Sequence, residues 1–472
     1  MIQLPQDFMT RMQDMLKEAY PAFLRSYNEE KYQALRVNTL KGTVDDFLQK
    51  APFSGLVQVP WEKSGFYYNA SEAPGKHPFH EAGVYYIQEP SAMAPAAYLE
   101  AKPGERVLDL CAAPGGKATQ IASYMQNEGL LMCNEIHPAR AKILSENVER
   151  MGIRNALVTN ETPQHLSEVF GEYFDRILVD APCSGEGMFR KNEEACSEWS
   201  LENVQLCADR QDEILDCADL MLRPGGRLVY STCTFAPAEN EGSIARFLAR
   251  HQEYRIVAVQ KYDGMSEGAP AWAKYDDVIY ENSTKLDVNI LKETIRLFPH
   301  LMKGEGHYLA VLQKQGEVPD GYQGVLANGF QKGINVKEVP EFLQFQQETL
   351  ETDLIADAKD RILKFGDQLY LMPKDMPLIK GLKVLRAGLH LGTLKKNRFE
   401  PSHALALTLK KEDVKRSMEL ESDACARAYL GGMTLNHNGE KGWYLMTYQG
   451  YSIGCGKIAG QVMKNNYPKG LR

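Results

Sequence analysis

The chain has 472 residues, 44% of them hydrophobic and 25% charged, with a net charge of −8, which is globular composition and enough length for about three domains. No run of about 20 apolar residues is present, which excludes a membrane-spanning helix and a membrane partner, and the first twenty residues mix charges with apolar side chains at helical spacing, unlike a signal peptide. Taken over the whole chain, the acidic balance argues against a polyanion partner, while nine cysteines without a C-x-x-C pair indicate a reduced, cytoplasmic protein with no structural zinc or other metal.

A helical pattern opens the chain (Phe8, Met12, Met15, Leu16), followed by an extended segment, RVNTLK, at 36–41. From about 90 to 233, short runs apolar throughout alternate with helical stretches. The runs are 106–111, 130–135, 156–159, 176–180 and 227–231, and Ile143, Leu144, Val148 and Met151 share one face of a helix predicted over 139–151. Continuous apolar strands alternating with helices predict a doubly wound, mostly parallel α/β sheet, completed by a strand at 308–312. The polar, Gly- and Pro-bearing stretch after Lys314 marks a boundary, and short strands follow at 368–372, 443–446 and 451–453. Residues 371–472 hold 17 Lys/Arg and 8 Asp/Glu, a net of +9, leaving −17 on the rest. A basic segment on an acidic chain reverses the first reading of the charge and points to a polyanion partner.

The turn Asp109-Leu-Cys-Ala-Ala-Pro-Gly-Gly-Lys117 joins the first buried strand to a helix, where a doubly wound sheet binds nucleotide-like ligands. Gly115 and Gly116 permit close backbone approach, but the spacing is neither the dinucleotide nor the P-loop pattern. Glu135, at the end of the second strand, can accept hydrogen bonds from two ribose hydroxyls. A ribose without a pyrophosphate fits S-adenosylmethionine. Two further motifs, Asp180-Ala-Pro-Cys-Ser-Gly185 and Ser231-Thr-Cys-Thr234, end the fourth and fifth buried strands. They place Cys183 and Cys233 at the same edge of the sheet as the Gly-rich turn, polar positions that suit a nucleophile better than a core filler. Carbon 5 of a pyrimidine becomes nucleophilic once a thiolate has added to carbon 6, and a second polar group nearby assists loss of the C5 proton. Asp180 can hydrogen-bond the base edge around N3 and N4.

DLCAAPGGK, DAPCSGEG and STCT, in this order, resemble the Nop/Sun (Fmu-like) family of RNA cytosine-C5 methyltransferases. RVNTLK, YYIQEPSAM (85–93) and FPHLMKGEGHYLA (298–310) resemble its flanking motifs. LHLGTLKKNRFEPSHALAL (389–407) and GCGKIAGQVMKNNYPKGLR (454–472) are similar to its RsmF-like branch, which modifies small-subunit ribosomal RNA. The resemblance implies a Rossmann-like class I S-adenosylmethionine-dependent methyltransferase domain with a mostly parallel seven-stranded sheet, a small N-terminal domain and a C-terminal PUA-like module. The expected limits are 1–75, 76–316, 317–384 and 385–472. It implies that Cys233 is the nucleophile and that Cys183 helps release product. It also implies that Cys111, Ala112, Ala113, Pro114, Gly115, Gly116, Lys117, Glu135 and Asp180 hold cofactor-site or active-site positions. The family's acidic residue near the adenine falls in Thr159-Asn-Glu-Thr-Pro163, with Thr162 in the aligned slot and Glu161 as the alternative. The implied partner is 16S rRNA or the small ribosomal subunit, acted on by a monomer.

A C5 atom inside a helix is inaccessible, so the base must be flipped or unpaired. Arg190 and Lys191, then Arg36 and Asn38, are candidate local phosphate contacts, with Lys395, Lys396 and Arg398 in the basic C-terminal part; His390 and His403 are read as structural. Two other readings remain. One is a non-catalytic RNA-binding ribosome-assembly factor on the same fold. The other is a zinc deaminase, for which His251-Gln-Glu253 supplies the H-x-E element but no P-C-x-x-C follows.

Overall fold

The computed structural model describes residues 3–191, 193–275, 287–319, 321–436, 439–460 and 462–472. The opening helix, Gln6–Leu16, buries Phe8, Met12 and Met15 at the predicted spacing, against Phe189, Trp199 and Phe235 of the catalytic region. A four-stranded N-terminal sheet follows, in the order Val57–Val59, Glu62–Tyr68, Gln33–Val37, Tyr85–Ile87.

The central sheet has ten strands: β1 (Arg106–Asp109), β2 (Leu130–Asn134), β3 (Ala156–Thr159), β4 (Phe174–Asp180), β5 (Leu222–Thr232), β6 (Tyr254–Ile256), β7 (Met265–Glu267), β8 (Ile295–Leu297), β9 (His307–Lys314) and β10 (Val384–Ala387). Their order is β7-β8-β9-β5-β4-β1-β2-β3-β10, with β6 paired to β9. The strands from β3 to β5 run parallel; β9 lies antiparallel against β5, and β10 antiparallel against β3. Alternate residues feed two cores. Leu108, Ile177, Val179 and Leu228 pack with helix Leu201–Met221 on one face. Val107, Leu178 and Val229 pack with helices Gly116–Met125 and Pro138–Arg150 on the other. Burial on both faces explains why these strands read as continuous apolar runs rather than alternating ones.

Three sequence expectations change. The sheet has ten strands rather than seven. The N-terminal sheet includes Tyr85–Ile87, so a boundary at 75 divides it. The boundary at 384/385 cuts β10, a strand contributed from far along the chain to the edge of the catalytic sheet. On either side of β10, Ile362–Phe365 and Gln368–Leu371 join Leu389–Lys395 and Arg398–Pro401 in a separate four-stranded sheet. The last module is a five-stranded sheet over 417–465. Its Tyr429, Tyr448, Tyr451 and Tyr467 share a core with Phe47, Phe79 and Tyr85 of the N-terminal part. Among the described residues no helix is long and apolar enough to cross a membrane.

Candidate active site

The carboxyl ends of β1, β2, β4 and β5 converge on one cavity of about 650 Å³, lined among others by Cys111, Ala113, Glu135, Asp180, Cys183 and Cys233. The Gly-rich turn enters helix Gly116–Met125 through Gly115, whose φ of 116° is a conformation open mainly to glycine; a Cβ there would also press on Leu144 at 3.3 Å. Ala112 N–H donates to Asn134 O at 2.8 Å. Arg140 and Asn147, from helix Pro138–Arg150, donate to Ala113 O and Pro114 O, each at 2.8 Å. The turn is thereby tied to both neighbouring elements. Cys111 and Ala113 face the cavity, whereas Lys117 reaches across to Asp180.

Glu135 is 3% exposed. Its Oε1 accepts from His137 N–H at 2.9 Å and its Oε2 lies 3.5 Å from Arg140, so it is anchored for hydrogen bonding to a polar ligand. Asp180 Oδ2 lies 2.8 Å from Lys117 Nζ, and Ser231 donates to its Oδ1 at 2.7 Å. Burial pushes the Asp180 carboxyl up, but Lys117 and His307 outweigh it and hold the group below its usual range. Asp109, behind them, has no hydrogen-bond partner for either carboxylate oxygen; burial first and the Asp180 charge second push it up to about 8.

The parallel register of β4 and β5 pairs Asp180 with Ser231, which brings the two cysteine motifs side by side. Cys183 Sγ and Cys233 Sγ are 3.4 Å apart. Below them Ser184 Oγ lies 2.9 Å from Thr234 Oγ1, and Glu239 takes the Ser184 N–H at 2.8 Å. Burial, then the charge of Glu186, lift Glu239 to about 7. The hydrogen bond to Cys233 first, and burial second, push the Cys183 thiol well above its usual range. Either thiol of the pair can donate to the other.

Other expected contacts do not line the cavity. Thr162 caps helix Pro163–Val169, accepting from His165 N–H at 3.2 Å. Glu161 is 6% exposed and accepts from Lys383 N–H at 2.6 Å, with its other oxygen 2.8 Å from His165; both are structural, and Gln164 and Ile136 line the cavity instead. Arg36, Asn38 and Arg190 are buried at 0%, 1% and 4% exposure, so they are not surface phosphate contacts. Arg36 donates to Gln88, Gly116 O and Thr119. Asn38 donates to Gly83 O and Met151 O, and Arg190 faces Glu305. A long polar side chain in a motif is as useful for tying segments together as for meeting a ligand, and sequence alone does not separate these uses. Lys191, Lys395, Lys396 and Arg398 are exposed, but Lys395 lies 3.6 Å from Asp367 and Arg398 2.9 Å from Glu400. These last three lie on the 389–401 hairpin, outside the final module. His390 stacks on Tyr370 and meets Gln368 at 2.9 Å; His403 packs against Tyr467. His251 groups with Asp219 and Glu253 at ligand spacing, without a cysteine, and Lys314 already occupies Asp219 at 2.7 Å. Arg140, Arg210 and Glu213 line the cavity without having stood out from the sequence, because they lie on helices whose polar faces read as solvated.

The parallel order β3-β2-β1-β4-β5, antiparallel β9 beside β5, the glycine turn after β1 and the acid after β2 define a Rossmann-like methyltransferase domain. The model of 16S rRNA methyltransferase RsmB/F matches residues 96–313. Models of the RsmF N-terminal domain, first C-terminal domain and PUA domain match 4–90, 344–409 and 415–472. Ribosomal RNA small subunit methyltransferase F of Vibrio vulnificus is 33% identical over 100% of this chain and 98% of its own length. The Erwinia tasmaniensis protein of the same name is 32% identical over 99% of this chain and 96% of its own. A crystal structure of a methyltransferase homologue from Pyrococcus horikoshii, 29% identical, covers 66% of this chain and 96% of its own with a TM-score of 0.57. The chain belongs to the 16S rRNA methyltransferase RsmF family.

Proposed function

We propose that this protein methylates carbon 5 of cytosine in 16S rRNA, using Cys233 as a covalent nucleophile and S-adenosylmethionine as methyl donor. The observation that carries the reading is the 3.4 Å approach of Cys183 and Cys233 at the ends of adjacent strands, beside Asp180. The cavity fits the donor: Glu135 is anchored for a ribose, exposed Ile136 offers an apolar face, and Cys111 and Ala113 supply the floor. S-Adenosylmethionine, when bound, supplies the electrophilic methyl group.

Cys233 loses its proton, and its sulfur bonds to C6 of the flipped base. Asp180, ionised, accepts a hydrogen bond from the N4 amino group of the base as charge shifts toward C5. Cys183 keeps its proton while Cys233 is a thiolate. Once Cys233 sulfur is bonded to carbon, that hydrogen bond is gone. Once C5 carries the methyl group, Cys183, its own proton released to solvent, takes the C5 proton; the C–H electron pair restores the C5–C6 double bond, and the S–C6 pair leaves with Cys233 as a thiolate. An RNA-binding assembly factor without catalysis would have no use for two thiols in contact beside a buried ion pair.

Bisulfite mapping of 16S rRNA with and without the protein tests the reaction. Cys233→Ala is expected to abolish methylation, and Cys183→Ala to trap a protein–RNA adduct that survives denaturing gels. Full turnover by Cys233→Ala overturns the assignment.

A further inference from the structure

We infer that Tyr32, with Lys303 beside it and Lys31 next to it in the chain, is a docking surface for a single-stranded nucleotide next to the target base; this rests on the RNA-directed reading above. Tyr32 is 39% exposed. Its ring lies 6.3 Å from that of Tyr67 at 71°. Lys303 Nζ lies 5.8 Å from the Tyr32 centroid and 5.9 Å from that of Tyr67, and the Tyr67 hydroxyl donates to Lys303 O at 3.0 Å. The exposed ring is thus held in place by a cation and a second ring. Lys31, Lys191 and Lys303 are all exposed.

The platform is built into the wall of the catalytic site. Buried Arg190 donates to Glu29 O and Glu30 O at 3.3 and 3.4 Å, fixing the segment that carries Tyr32. Arg190 also lies 3.4 Å from Glu305, whose N–H donates to Glu89 at 2.9 Å. Glu89 holds Ser91, and Ser91 Oγ lies 3.2 Å from His307 Nδ1. The charges of Lys117 and Asp180 act on His307. A Cβ on Gly187 would stand 2.9 Å from both Cys233 O and Gly306 O, so the nucleophile turn and the His307 segment flank the same glycine. Glu305, 2% exposed, is covered by this wall and faced by Arg190, so its charge is screened from the surface that carries Tyr32.

An exposed aromatic ring with the Lys303 ammonium beside it, and exposed Lys31 next to it in the chain, suits a nucleotide. The ring takes the base face and the lysines take the phosphates, with no sequence preference required. A target base drawn into the cavity leaves its neighbour unstacked, and the neighbour needs such a surface. A bare clip of Lys303 over two tyrosines would be served equally by the structure without RNA. The two cases separate on whether the aromatic ring matters to RNA affinity.

The test uses the full chain and an in vitro transcript of 16S rRNA. Tyr32→Ala is expected to raise the RNA Kd by about 5- to 100-fold, the range seen for losing one base–aromatic stack. Tyr32→Phe should stay within about two-fold of wild type, with S-adenosylmethionine affinity and Tm the same in both. Lys303→Ala should lower the salt slope of RNA binding by about 0.7. If wild-type protein methylates no cytosine of the transcript, the assigned reaction fails and the platform with it. If wild type methylates and both Tyr32→Ala and Lys303→Ala bind the transcript as wild type does, the platform alone is overturned.

Discussion

Lys117→Met should expose how far the site depends on one buried ion pair. Lys117 Nζ and Asp180 Oδ2 are 2.8 Å apart, with side chains 11% and 29% exposed. At an effective dielectric of about 20 and this separation, the gross Coulomb attraction is about 6 kcal/mol. Desolvation of the ammonium offsets much of it, and water can reach Asp180, so removing Lys117 should cost about 2–4 kcal/mol at pH 7, near the lower part of the range for breaking a buried pair. The sign with pH follows from the pair. In wild type Asp180 is held below its usual range, so its stabilising contribution is present above about pH 4 and is lost as pH falls through the depressed value. Without Lys117, Asp180 faces burial and Asp109 with less compensation, and its pKa rises. The stability difference between wild type and Lys117→Met should therefore be full at pH 7 and shrink as pH falls through the depressed Asp180 value, and the acid limb of methyl transfer should move to higher pH. Lys117→Arg, which keeps the charge, should restore most of both effects. Urea unfolding at several pH values and single-turnover methyl transfer across pH provide the readings. An equal loss of stability at pH 3 and pH 7, with an unmoved acid limb, would refute the role given to this pair.

Lys41 Nζ donates to Leu407 O, and burial, with Arg154 and Arg150 beside it, lowers its pKa to about 7. A depressed lysine takes up a proton on unfolding, so it makes stability rise with pH from about 7 to 10. Lys41→Gln should flatten that rise in urea midpoints between pH 7 and 9, and an identical rise in both proteins would count against it. Arg386 of β10 pairs with Glu149 and lies 3.3 Å from Ser145, at 8% exposure. Arg386→Ala should cost about 1–3 kcal/mol and speed hydrogen exchange at the Gly388 and Asn160 amides, which hold β10 to β3 at 2.9 Å each; unchanged protection there would show that the pair does not fasten the strand. Truncation after residue 409 should weaken RNA binding and its salt slope while S-adenosylmethionine binding is kept, as read by filter binding and calorimetry. Truncation at 385 should instead disturb the catalytic sheet, and equal behaviour of the two truncations would contradict the edge pairing.

The parts of this architecture visible in the sequence are those whose cause is local. Apolar runs at 106–111, 130–135, 176–180 and 227–231 announce strands covered on both faces, and the glycine turn and both cysteine motifs stand at the carboxyl ends of the first, third and fourth of these. What the sequence leaves hidden is long-range. β10 is short, carries Arg386, and acquires its place only by pairing with β3, more than two hundred residues earlier. Arg36, Asn38 and Arg190 look like surface cations or amides because their partners are backbone carbonyls and side chains from distant segments. Glu161 looks available for a ligand, yet its oxygens are taken by Lys383 and His165. Its relevant neighbour arrives with the same distant segment as β10.

The charge distribution gains a spatial meaning from these contacts. The +9 of residues 371–472 is not confined to the last module: 371–409 holds 7 Lys/Arg and 2 Asp/Glu, and 410–472 holds 10 and 6. Slightly more than half of the excess therefore belongs to the hairpin segment that also feeds β10 into the catalytic sheet. Salt at physiological strength screens exposed charges beyond about 8 Å, so the −17 elsewhere does not repel RNA as a single body. What an RNA strand meets is local. On the proposed platform it would meet Lys303 beside Tyr32; on the hairpin, Lys396 is exposed without an ion pair among the described residues. Since the hairpin is fastened to β3 through β10, the basic surface is held at a set distance from Cys233. On the proposed reading, rigid attachment through β10 would set register on the RNA alongside the affinity of the last module.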